Sequence, residues 1–192
     1  MTRTKNYEVF MSGEPFELYF TEVKAGWLES RVVLDGSHYE LSTQCTFSEP
    51  LKDLFRSLCD LHGLEALPES DDEPCHFEFE WGGEGWIYFW KIVPHPGGEL
   101  AVSVEFKGKR EVGGQEFPVW RIDFMTQWKT MAEQVFTQAS ELLWMYGFSG
   151  YHEHWTKDFP AGWMMRLGHL LHGQPAESTD FSRELGYLAE TR

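Results

Sequence analysis

The sequence predicts an α+β fold, a meandering antiparallel sheet of about six to seven strands with two or three helices packed on it. Three observations carry this. Apolar and polar residues alternate through several segments bounded by glycine or proline. Two other stretches instead space their apolar residues as one face of a helix. The densest run of strands, from Cys75 to Phe124, is heavily aromatic, and the rest of the chain is expected to pack on it.

Taken in order, residues 7–10 and 16–24 read as short strands, with Phe16, Leu18 and Phe20 on one face. Trp27 to Leu34 and His38 to Thr46 read as a hairpin. Its turn is Asp35-Gly36, which supplies the positive φ values of a type I′ turn. Ser48 is the expected N-cap of a helix with Glu49 in its first turn, and Pro50 is tolerated near the start. Leu51, Leu54, Phe55, Leu58 and Leu61 line that helix and Gly63 ends it. The segment 68–74 reads as a loop.

Phe77, Phe79 and Trp81 then alternate with Glu78 and Glu80, and Gly82-Gly83-Glu84-Gly85 turns the chain into Trp86–Val93. Leu100–Phe106 and Val119–Phe124 continue the sheet, with Gly97-Gly98 and Gly113-Gly114 as turns. Trp86, Tyr88 and Trp90 share one face of their strand; Ile87, Phe89 and Lys91 share the other. Such a strand is either central and covered on both faces or presents an aromatic patch. A long helix from about Thr126 to Tyr146 carries Trp128, Met131, Ala132, Val135, Phe136, Ala139, Leu142 and Leu143 on one stripe, and Gly147 stops it. Residues 148–155 read as a loop. After Phe159-Pro160 a last helix reaches about His172, so 1–172 is expected to form one domain and 173–192 a polar tail.

Composition narrows the function. A chain of 192 residues with 42% hydrophobic residues has enough material for a packed core. Its net charge of −15 argues against binding free nucleic acid, which needs clustered Lys and Arg. Cys45, Cys59 and Cys75 show no CxxC spacing, and no apolar run approaches the roughly 20 residues that span a bilayer. The N-terminus has no apolar signal core. A cytoplasmic protein outside the membrane is the expectation.

No catalytic motif is present: there is no GxSxG elbow, and the glycine clusters lack the following helix and Lys-Ser/Thr of a phosphate cradle. His152, Glu153, His154, His169 and His172 form the one cluster of ligand-type residues, and His152, His154 and His169 are the weak candidates for a metal such as zinc. The spacing is not HExxH, so no metal and no cofactor is expected. The other cluster is acidic. From Ser57 to Trp90 there is no Lys or Arg but nine acidic residues, among them Asp71, Asp72, Glu73, Glu78, Glu80 and Glu84. Beside the aromatic strand that begins at Trp86, these residues suit an acidic and aromatic docking face for a basic protein.

The stretch Glu65-Ala-Leu-Pro-Glu-Ser-Asp-Asp-Glu-Pro74 beside aromatic strands, in a small motif-free α+β chain, resembles the immunity proteins of bacterial toxin–immunity systems, including contact-dependent growth inhibition. The closing pattern Gly150-Tyr151-x-x-x-Trp155-x-x-x-Phe159-Pro160 is similar to one found in bacterial proteins of this size. The resemblance implies a protein without chemistry of its own, which binds and blocks a cognate toxin domain such as a basic nuclease. Asp71, Asp72, Glu73, Glu78, Glu80, Glu84 and Trp86 are the residues expected to bind that partner. Two other readings stay open: a metal-dependent enzyme or metal-binding protein using the C-terminal histidines, and a structural or adaptor subunit.

Overall fold

A computed structural model describes residues 7–9, 16–64, 76–108, 111–112, 115–116 and 119–172 of the chain. The fold is α+β, with its strands divided between two sheets. Strands β1 (Tyr7–Val9), β10 (Arg121–Gln127), β7 (Glu99–Gly108), β6 (Trp86–His95) and β5 (Phe77–Gly82) lie side by side in that order. All neighbours are antiparallel except β1 and β10. A second sheet holds β2 (Glu17–Lys24), β3 (Trp27–Leu34) and β4 (Ser37–Gln44), and β8 (Glu111–Val112) pairs with β9 (Gln115–Glu116). Three helices complete the described residues: α1 (Pro50–Leu61), α2 (Trp128–Trp155) and α3 (Ala161–Leu171).

The expected meander through one sheet breaks between β4 and β5, and the reason is local chemistry. Ser42 turns its backbone N–H and carbonyl away from β3, where a further strand would pair. Two side chains of β6 take those groups instead: the Ser42 N–H donates to the Tyr88 hydroxyl at 3.1 Å, and the Trp86 indole N–H donates to the Ser42 carbonyl at 2.9 Å. The opposite edge of this sheet is closed in the same manner by α2. The Phe20 N–H donates to Gln138 Oε1 and the Val23 N–H to the Tyr146 hydroxyl, both at 3.2 Å. Outward amides in a regular strand recur every second residue; the register shift between Phe20 and Glu22 moves the second of them to Val23.

The Asp35-Gly36 turn is as the sequence predicts, with φ of 47° and 70°. The β2–β3 turn uses the same trick at Ala25 and Gly26 with φ of 52° and 81°, although alanine gives no signal for it. Gly26 is tied on both sides: its N–H donates to the His154 carbonyl at 2.6 Å, and its carbonyl accepts from Cys45 N at 2.9 Å.

Two local expectations are corrected. Ser48 does not cap α1: Glu49 occupies that position without a side-chain cap, while the Ser48 hydroxyl donates to the Gln44 carbonyl at 3.2 Å. Pro50 at the helix start makes the missing cap tolerable, because it has no N–H to satisfy. Residues 148–155 are helical. Gly147, with φ 64° and ψ 177°, does interrupt the helix, but a new helical limb begins at once. The limb forms because Tyr151 and Trp155, four residues apart, are both buried. The loop 68–74 and the tail 173–192 lie outside the described residues.

The core is continuous across both sheets and the helices. Tyr88, Trp90 and Ile92 of β6, Val102, Val104 and Phe106 of β7, and Ile122 and Phe124 of β10 turn inward and are buried. Trp81 and Trp90 lie 4.6 Å apart between ring centroids and stack into Phe79. Thus β6 is central, between β5 and β7, and is buried on one face. Replacing Gln138 with Leu removes the acceptor for the Phe20 amide, and a buried donor left unpaired costs about 1–3 kcal/mol. The Q138L variant is expected to unfold at lower urea concentration, with faster hydrogen exchange at Phe20. Glu141→Gln, which touches only the far end of the Gln138 amide (Nε2 to Glu141 Oε2, 2.8 Å), should change stability much less.

Candidate partner-binding face

On the other face of the five-stranded sheet the described side chains are exposed or half-buried; the one buried residue described there is Gly82, which lies against Phe47. Register lines its side chains up in rows. Glu80, Phe89, Glu105 and Arg121 run across β5, β6, β7 and β10, and Glu78, Lys91, Ser103 and Asp123 run beside them. Opposite charges meet across the strands at Lys91 and Glu78, and along a strand at Lys107 and Glu105 and at Arg121 and Asp123. Lys91 Nζ lies 2.8 Å from Glu78 Oε1, Lys107 lies 3.1 Å from Glu105, and Arg121 chelates Asp123 at 2.8 Å. Lys107 also sits 4.9 Å above the Phe89 ring. The Lys91 hydrogen bond holds the Glu78 carboxyl below its ordinary range, with the charges of Lys91 and His76 adding to it.

The partner-binding residues read from the sequence therefore fare differently. Glu80 and Glu84 are exposed and, among the described residues, not ion-paired. Glu78 is exposed but its charge is matched by Lys91. Trp86 is half-buried, with its indole N–H committed to Ser42 and its ring stacked on Trp27 at 5.8 Å. The ring also lies against Gly83, where an added Cβ would fall 2.2 Å from it. Trp86 thus fastens one sheet to the other. Asp71, Asp72 and Glu73 lie outside the described residues.

The histidines do not converge. His152 and His154 are two apart on the second limb of α2, so they point to different sides of it. His152 Nδ1 lies 3.0 Å from Asp158 Oδ1, His154 meets the Tyr146 ring edge-on at 5.5 Å, and His169 is buried on α3. No three His, Cys, Asp or Glu side chains among the described residues are grouped to hold a metal ion.

Two other groups have chemistry to consider. Burial pushes the Cys59 thiol up to about 11, so it stays protonated at neutral pH and is a poor nucleophile. At the start of α1, burial and then the neighbouring Glu49 raise the Asp53 carboxyl to about 6, against the weaker pull of Lys52 and Lys157. Tyr151, raised by its burial and by Glu49, remains a phenol. A carboxyl titrating near neutrality invites a catalytic reading, but the groups beside it bring neither a nucleophile nor an oxyanion site.

The sequence reading missed three large exposed apolar side chains on α2, Trp144, Met145 and Phe148. A signal for the first two was present, since Trp144 and Met145 fall off the stripe formed by Met131, Val135, Ala139 and Leu142. No protein-family model matches the chain, and no curated protein or solved structure matches it.

Asp53 sets a pH dependence. Its carboxyl titrates near 3.8 when unfolded and at about 6 when folded, so the folded state binds the extra proton between those values. Stability from this group is full below about pH 4 and is lost as pH rises through 6. Asp53→Asn should leave stability unchanged near pH 4 and raise it at pH 7. The gain should be on the order of 1 kcal/mol after allowance for solvent screening, read from urea unfolding at both pH values.

Proposed function

We propose that this protein works by binding another protein, as an immunity protein that neutralises a cognate bacterial toxin domain inside the producing cell. The observation that carries this reading is the open sheet face, where Glu80 stands exposed in register with Phe89 and Glu84 is exposed in the adjoining turn, on a chain of net charge −15. A basic domain, such as a nuclease whose own substrate is polyanionic, is the partner that such a face fits. The protein would cover that domain's substrate surface and perform no reaction itself. Carboxylates would steer encounter, and aromatic contact would slow release. The ion pairs support the same role, because salt-linked side chains hold the surface in one arrangement before a partner arrives.

Affinity capture from the native lysate at high salt, followed by mass spectrometry, names the partner. One basic protein retained stoichiometrically is the expected result. Reversing Glu78, Glu80 and Glu84 to Lys should then slow association about 10-fold at low salt and flatten its salt dependence. Unchanged kinetics would remove the acidic face from the argument. Near-stoichiometric zinc or iron in protein purified without a histidine tag, with no protein retained, would favour the histidine reading instead.

A further inference from the structure

We infer that Trp144, Met145 and Phe148 form an anchoring site for a cationic, amphipathic segment of another protein. The inference rests on the partner-binding reading and deepens it, naming a second surface and the chemistry of what it holds. Trp144 is 73% exposed, Met145 60% and Phe148 46%. Large side chains of this kind, left exposed within five residues of one another in sequence, are the groups that dominate binding energy when a partner covers them.

Both limbs that carry these side chains are anchored. Trp144 and Met145 end the first limb of α2 and Phe148 opens the second, on either side of the break at Gly147. Between them, Tyr146 turns the other way and accepts the Val23 amide at 3.2 Å, which pins the first limb to β2. The Phe148 ring meets the buried Phe159 edge-on at 5.8 Å, which pins the second. A rigid apolar surface loses little conformational freedom on binding.

Charge selects the occupant. Glu141 lies one turn before Trp144 and Glu153 follows Phe148 in the second limb, both exposed. From residue 130 to residue 156 the sequence has no Lys or Arg. Asp158, 94% exposed, adds a further carboxylate beside His152. Such a rim favours a segment that brings its own cations. It disfavours a second copy of this chain, which would set the same carboxylates against each other.

The test uses the full chain with ¹³C-methyl methionine and, as probe, a synthetic amphipathic peptide of Leu and Lys. The Met145 methyl resonance should shift on adding this peptide and respond far less to oligolysine or to a Leu/Glu peptide. The double variant Trp144→Ala, Phe148→Ala should bind the peptide at least ~10-fold more weakly while keeping its melting temperature. Should that variant unfold, the Met145 response of the unsubstituted protein reads the same surface. A silent Met145 resonance, or equal affinity of a folded double variant, overturns the proposal. So do a Met145 shift that depends on protein concentration alone, which would mean a second copy, and contacts from Met145 to residues 173–192 in the free protein. Peptide binding and the charge-reversal kinetics at Glu78, Glu80 and Glu84 are read separately, so failure of one surface is distinguishable from failure of the other.

Discussion

The three-stranded sheet would be an incomplete object by itself, since a strand on each side still presents amides and carbonyls that need partners. What completes it is a set of side chains. Tyr88 and Trp86 reach across from the larger sheet to Ser42, and Gln138 and Tyr146 reach from α2 to Phe20 and Val23. Much of the remaining architecture follows from those four contacts. They fix the distance between the sheets and hold α2 along β2. They also keep either edge from recruiting a further strand, with the backbone groups of Phe20, Val23 and Ser42 satisfied.

That arrangement explains why the larger sheet shows such different faces. Its inner face carries Trp81, Tyr88, Trp90 and Phe106, all buried against the smaller sheet and the helices. Its outer face carries alternating charges with Ile87, Phe89 and Val93 between them. An antiparallel sheet with one solvated face needs no further layer, and pairing Lys91 with Glu78 and Arg121 with Asp123 keeps this one hydrated without leaving it uniformly acidic. The excess negative charge of the chain is therefore not spread evenly over this face. On this face Glu80 and Glu99 are exposed without an ion pair among the described residues, and Glu84 and Asp35 are exposed in turns elsewhere.

Features that depend on neighbours in sequence were legible before the structure. Asp35-Gly36 makes a hairpin because both residues accept positive φ, and β5 and β6 show their inward aromatics through simple alternation. Gly147 was legible as a helix stop, but not as a bend, since the burial that restarts the helix comes from Tyr151 and Trp155 meeting the core. The division into two sheets could not be read, because Ser42 meets residues 44 and 46 positions away, and no pattern of alternation records such a bond. The candidate site divided in the same way. Exposure of Glu78 and Glu80 followed from strand periodicity, whereas the commitment of Trp86 to Ser42 and the pairing of Glu78 with Lys91 depended on tertiary placement. Trp144 and Met145 lie off the apolar stripe of α2, so helical spacing marks which residues turn inward and not what the outer side offers.

The bonds between α2 and β2 have a consequence for how the chain is made. Phe20 finds its acceptor 118 residues later, and Val23 finds its own 123 residues later. A ribosome delivers residues one after another, at about 5–20 per second, so β2 leaves the exit tunnel many seconds before the helix that shields it. During that interval the hairpins of the smaller sheet carry an unguarded margin, and nascent chains on neighbouring ribosomes offer each other compatible strands. Charged Glu22 and Lys24 at the outer end of β2 then act as gatekeepers, opposing strand addition until α2 emerges and docks.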